Sequence, residues 1–190
     1  VSAIAWLLEN RRPEVSREQA IRIDHPHVVA PYAWGADDGT VVIAFELVTG
    51  GSLADLVGDY GPLGEGTVTT VLDQLLAALE AVHGAGIVHR DVKPANVLLR
   101  ATGGAEPDVA LIDFGIALTR EDARLTHLGA VVGTPGYVPP EVLRGAGAVG
   151  PAHDLYALGR LALAGDAAAM RTFAHTAARR GRRCATILGP

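Results

Sequence analysis

One short loop holds most of the residues of this chain that could do chemistry: His89, Arg90, Asp91, Lys93 and Asn96, with Asp113, Phe114 and Gly115 further on. Asp91 is a carboxylate able to accept or orient the proton of an attacking hydroxyl. Asn96 and Asp113 offer hard oxygen donors of the kind that hold Mg²⁺, and Lys93 supplies one compact positive charge. A reaction suited to that set passes through a loose, highly charged transition state, stabilised by positioning and by cations rather than by covalent participation of the protein. Phosphoryl transfer has those needs. On this reading Asp91 handles the hydroxyl, Lys93 meets the γ-phosphate, and Asn96 and Asp113 hold the Mg²⁺ ions that bridge the phosphates.

Such a loop needs supports on both sides. Ile87 and Val88 lead into it, Val97, Leu98 and Leu99 lead out, and Val109, Ala110, Leu111 and Ile112 deliver Asp113. These runs predict short buried strands. Residues 67–83 predict the clearest helix. Val68, Val71, Leu72, Leu75, Leu76, Leu79 and Val82 recur at helical spacing on one face, and Gly84 and Gly86 follow as terminators. Residues 41–45 are an apolar run preceded by Asp37, Asp38 and Gly39, which predicts a tight turn and a hairpin of residues 29–34 with 40–45. Residues 16–23 predict a short helix with Ser16 and Gln19 as a capping box, closed by His25 and Pro26.

A further motif follows in order, Gly133, Thr134, Pro135, Gly136, Tyr137, Val138, Pro139, Pro140 and Glu141. With it the chain resembles the eukaryotic-like protein kinases, most closely the bacterial Ser/Thr branch, from about His25 to about Leu163. The resemblance implies an α+β, two-lobed protein-kinase fold with an incomplete small lobe and a mostly helical large lobe truncated after the αF-like helix. It implies transfer of the ATP γ-phosphate to a protein serine or threonine, with Asp91, Lys93 and Thr134 catalytic. ATP would be bound through Lys93, Asn96, Asp113 and the backbone of the hinge residues Glu46 and Val48, behind Phe45 as gatekeeper, with Mg²⁺ on Asn96 and Asp113. His89 would pack beneath the metal-binding loop. Arg90 would receive a phosphate from the activation segment, on Thr126 or less readily on Thr119 or Thr134. Phe114 and Gly115 would be structural or regulatory residues, and Glu141 would tether the activation segment. Asp154 would anchor the catalytic loop from below, its acceptors filled by backbone N–H groups.

The departures are as legible. No glycine precedes Gly35, and Lys93 is the only lysine of the sequence, so neither a Gly-rich phosphate loop nor the strand lysine of the family has a counterpart here. Glu18 is the candidate for the αC glutamate and reads better as a solvated helix residue. Beyond Met170 the chain carries Arg171, Arg179, Arg180, Arg182 and Arg183 and no acidic residue. The organisation expected is a divergent segment 1–24 with an αC-like helix, a kinase core 25–163, and a basic non-family tail 164–190. Weak activity or none is expected of such a chain. The alternative is a pseudokinase-like module that binds a partner or nucleotide without turnover, and a small-molecule phosphotransferase would share the catalytic loop but has no use for the peptide-docking segment 133–141.

Composition bounds the remaining choices. The 190 residues suit one core, and the formal net charge of −5 predicts no nucleic-acid partner for the core. The partners expected are a protein substrate and ATP. Cys184 is the single cysteine, so no internal disulfide can form. Residues 1–8 are too short, and too soon followed by Glu9, for a secretory signal or membrane span. A cytoplasmic location is expected, and the richness in Ala, Gly and Arg suggests a GC-rich bacterial gene.

Overall fold

The apolar face predicted on residues 67–83 is buried in one helix, α2 (Glu65–Gly84), with Val68, Val71, Leu72, Leu75, Leu76, Leu79 and Val82 all in the core. The computed structural model describes residues 4–9, 23–31, 33–37, 40–101, 106–113, 118–119, 133–145 and 150–163. Around α2 lie β4 (Ile87–Val88), β5 (Val97–Arg100) with β6 (Asp108–Leu111), and α4 (Pro151–Leu163), which sends Leu155, Ala157, Leu158 and Leu161 into the same cluster. Burial of that apolar surface is the main favourable term in forming this lobe.

Polar groups fix where the strands sit on the helix. β5 and β6 pair antiparallel from Val97 opposite Leu111 to Arg100 opposite Asp108. The outer edge of β6 would offer unpaired backbone groups, and three residues cover it. The Gln74 amide of α2 donates to the Pro107 carbonyl at 2.8 Å and accepts from the Val109 N–H at 2.8 Å. His27 and Val29 bond both backbone groups of Leu111 at 2.9 Å, and the His27 ring bonds the Val109 carbonyl at 2.9 Å. A shorter helix, α1 (Leu53–Tyr60), starts with a capping box: Ser52 Oγ accepts from Asp55 N–H, and the Asp55 carboxylate accepts from Ser52 N–H. The Ser52 hydroxyl, donating to the Asp55 carboxylate at 2.7 Å, and the Ser52 N–H, donating at 2.9 Å, hold that carboxyl below its usual range.

A separate sheet is formed by β1 (Ile4–Glu9), β3 (Thr40–Phe45) and β2 (Ala33–Asp37), in that order and antiparallel throughout. Asp37 pairs with Thr40, so a two-residue connection joins β2 and β3, as the Asp-Asp-Gly run predicts. The hairpin differs from expectation at its start. The first strand begins at Ala33 rather than at residue 29, because Val28 and Val29 are taken by Leu111 of β6. β1 was not foreseen: it pairs with β3 from Ile4 opposite Phe45 to Glu9 opposite Thr40, and makes the small sheet three-stranded. The remaining short elements are a single 3-10 turn over Pro94–Asn96, β7 (Leu118–Thr119), paired with β4, and α3 (Pro140–Leu143). Residues 16–22 of the expected helix, with Glu18, and the basic tail 164–190, with Cys184, lie outside the described residues, as do Phe114, Gly115 and Thr126, while Ile23 has no regular structure. No helix among the described residues is long and apolar enough to cross a membrane.

Candidate active site

The loop of residues 89–96 hangs from a buried carboxylate. Asp154, in the first turn of α4, has no solvent exposure. Its Oδ2 accepts from the His89 N–H at 2.9 Å and from His83 Nε2 at 2.7 Å, and its Oδ1 accepts from the Arg90 N–H at 2.7 Å. A buried carboxylate is costly unless its lone pairs are filled, and here three donors fill them. His83, from the last turn of α2, was not singled out in the sequence; a histidine ending an apolar helix has no distinguishing spacing.

His89 is fully buried, with Nε2 donating to the Ile112 carbonyl at 2.9 Å and Nδ1 accepting from the Asp91 N–H at 3.3 Å. That pattern defines a neutral ring with its proton on Nε2. Burial pushes its pKa down against the opposing pull of Asp154, the Ile112 carbonyl, Asp113 and Asp91. The histidine thus couples the catalytic loop to the residue before Asp113. Two non-glycine residues among those described have left-handed backbones, Arg90 (φ 72°) and Asp113 (φ 67°), and both lie here. Such conformations cost about 1–3 kcal/mol each and persist only where surroundings impose them.

Asp91 is the focus of the loop. Thr134 Oγ1 donates to its Oδ1 at 2.6 Å, while Lys93 Nζ reaches Oδ2 at 2.6 Å and Thr134 Oγ1 at 2.9 Å. Asn96 Nδ2 donates to the Asp91 carbonyl at 2.8 Å and to Oδ2 at 3.1 Å. Burial works to raise the Asp91 pKa, but the hydrogen bonds from Lys93 and Thr134, the Lys93 charge and the Asn96 bond together hold it below the usual carboxylate range. It is therefore ionised at neutral pH and an acceptor for a further proton donor. Gly133 makes the Thr134 contact possible: its φ is 137°, and an added Cβ would stand 2.7 Å from Val138 Cγ2.

Asn96 and Asp113 lie at the ends of neighbouring strands. The Asn96 carbonyl accepts from the Ile112 N–H at 2.9 Å, one residue before Asp113. The Asn96 amide nitrogen is committed to Asp91, no described donor bonds its amide oxygen, and the Asp113 carboxylate is exposed. One carboxylate and one amide oxygen, completed by phosphate oxygens and water, fit the oxygen-rich shell Mg²⁺ prefers. The donor set accordingly fits the metal that the sequence implies.

The other expected residues are more dispersed. Glu46 and Val48 follow β3 without regular structure, Glu46 exposed and Val48 half-buried. Glu46 pairs with Arg100, a residue the sequence reading did not select. Arg90 is buried. Glu141 lies exposed in the first turn of α3. His153, beside Asp154, is also buried, and neither ring nitrogen has a hydrogen-bond partner among the described residues. Burial lowers its pKa, with Asp154 and Glu141 acting to raise it and Arg90 to lower it.

Comparison with known proteins identifies the family of the chain. The protein kinase domain family matches residues 7–173. The chain is 41% identical over 146 residues to the serine/threonine-protein kinase pkn3 of Myxococcus xanthus, covering 74% of this chain and 26% of that protein. It is 41% identical over 145 residues to PknJ of Mycobacterium tuberculosis, with 74% and 23% covered, and 43% identical over 142 residues to Pkn1 of Myxococcus xanthus, with 74% and 20% covered. The matched region thus spans only 20–26% of these three relatives.

Proposed function

Because this chain belongs to the protein kinase domain family, we propose that its catalytic loop transfers the γ-phosphate of ATP to a serine or threonine hydroxyl of a protein. The observation that carries the reading is the convergence of Thr134, Lys93 and Asn96 on one ionised carboxylate, Asp91. A substrate hydroxyl placed near Asp91 is oriented by that carboxylate, which takes up its proton as the hydroxyl oxygen bonds the γ-phosphorus and the bond from that phosphorus to the β,γ-bridging oxygen breaks, releasing ADP. Lys93, already between Asp91 and Thr134, is placed to meet the phosphoryl oxygens. Asn96 and Asp113 would hold Mg²⁺, which when bound neutralises developing charge on the phosphates. The hinge backbone at Glu46 and Val48 would meet the adenine edge. Arg90 would receive a phosphate on Thr126. A cytoplasmic setting and a kinase core at 25–163 belong to the same proposal.

Lys93 is the only lysine of the sequence and is engaged with Asp91 and Thr134, so no second ammonium of this chain meets the phosphates. Slow transfer is therefore expected, and nucleotide binding without turnover is the second reading. The test is incubation with γ-labelled ATP, Mg²⁺ and a protein rich in serine and threonine, beside Asp91→Asn. Label on protein hydroxyls that the variant fails to produce supports the reading; label transferred equally by both, or onto a small aminoglycoside-like alcohol instead, contradicts it.

A further inference from the structure

The hinge is recognised through backbone groups, so no residue type marks it, yet one side chain gathers the structure around it. Arg100, the last residue of β5, donates through Nη2 to the Pro26 carbonyl at 3.1 Å, pairs through Nη1 with the Glu46 carboxylate, and places Nε 3.7 Å from the Asp108 carboxylate. Three separate segments thus converge on one guanidinium, whose planar fork can serve several acceptors in fixed directions. The adjoining backbone runs the same way. Gly50 N–H donates to the Leu99 carbonyl and Leu99 N–H to the Gly51 carbonyl, both at 2.9 Å, and Ser52 bridges Leu98 antiparallel. β5 begins directly after Asn96, and its partner β6 ends two residues before Asp113. One hairpin therefore carries the metal-binding pair at one end and holds the hinge along its other.

We propose that Arg100 is a positioning residue for nucleotide binding: by holding Glu46 it fixes the hinge backbone relative to Asn96 and Asp113, so that base and phosphates are met at once. This rests on the kinase reading of the site. Arg100 touches neither base nor phosphate in this role. Its side chain is 27% exposed and that of Glu46 47%, so the pair is partly screened and its effect is moderate.

The test compares Mg²⁺-ATP with Mg²⁺-tripolyphosphate, which lacks the base, by calorimetry on the full chain and on Arg100→Ala, Glu46→Ala and the double variant. Each single variant should bind Mg²⁺-ATP about three- to tenfold more weakly and Mg²⁺-tripolyphosphate within about twofold of the parent, with the double variant no worse than either single. Equal loss for both ligands, additive losses, or unchanged ATP affinity in the singles overturns the proposal while leaving the kinase reading intact. A parent chain that binds neither ligand overturns the kinase reading itself. Should Arg100→Ala not fold, Glu46→Ala, altered only at a half-exposed side chain, carries the same comparison.

Discussion

The proposed catalytic loop, residues 89–96, and the proposed hinge, residues 46–48, are held by opposite means. The loop is suspended from within, its backbone N–H groups at His89 and Arg90 bonded to Asp154, a carboxylate without solvent exposure. The hinge is held from outside, by a partly exposed guanidinium and by close approach of Gly50 to β5. Buried polar anchors are strong because removing one partner leaves the other desolvated and unpaired, whereas exposed ion pairs are weakened by water and salt. The difference suits the proposed tasks: atoms that would handle a transferred group need one fixed geometry, while a base edge could be met by backbone that gives slightly.

The sharpest way to break this contrast is Asp154→Ala. It strands two buried N–H groups and the His83 ring, and the expected loss is about 3–5 kcal/mol in urea denaturation. A loss no greater than that of a surface substitution would show that the loop is not suspended as described. On the hinge side the largest effect should come from packing rather than charge. Gly50→Ala would put a Cβ 2.3 Å from the Leu99 carbonyl oxygen. The backbone must move, at an expected cost of about 1–3 kcal/mol in the same measurement.

Within the loop, Thr134→Val removes one donor to Asp91 Oδ1. The change should cost about 1 kcal/mol and raise the Asp91 pKa toward the ordinary carboxylate value, followed by the carboxyl carbon shift in NMR titration. An unmoved titration would mean that Lys93 and Asn96 alone set the charge.

The smallest effect is a slope with pH. His89 and His153 are buried with lowered pKa values. Above about pH 6.5 these rings are neutral in both folded and unfolded chains and contribute no slope. As pH falls below that value the unfolded chain takes up protons that the folded chain refuses, so stability declines until the folded pKa values are reached. His153→Phe should flatten part of that decline; an unchanged slope would remove His153 from the account.

The same contrast explains what could be read from the amino-acid order. The loop residues and Asp113 are legible because they stand together in one motif, Asp154 only through the resemblance of its segment to protein kinases, and α2 because seven apolar residues recur at one period. Val29 falls outside the β2 hairpin expected to begin with it, since an apolar β-former suits β6 as well as β3, and only tertiary pairing decides. β1 went unread for a related reason: a strand of apolar residues has no period to separate it from a helix segment. Arg100 and Gln74 left no signal at all, since a long polar side chain near a strand usually points to solvent.

The most direct test of the central claim, that Asn96 and Asp113 with the Asp91 loop form a Mg²⁺-dependent nucleotide site, is calorimetric titration of ATP with and without Mg²⁺ on the parent chain and on Asp113→Asn. The account predicts binding that requires Mg²⁺ and is lost in the variant. Binding indifferent to both the metal and the substitution, or none by a parent chain shown to be folded, would contradict it.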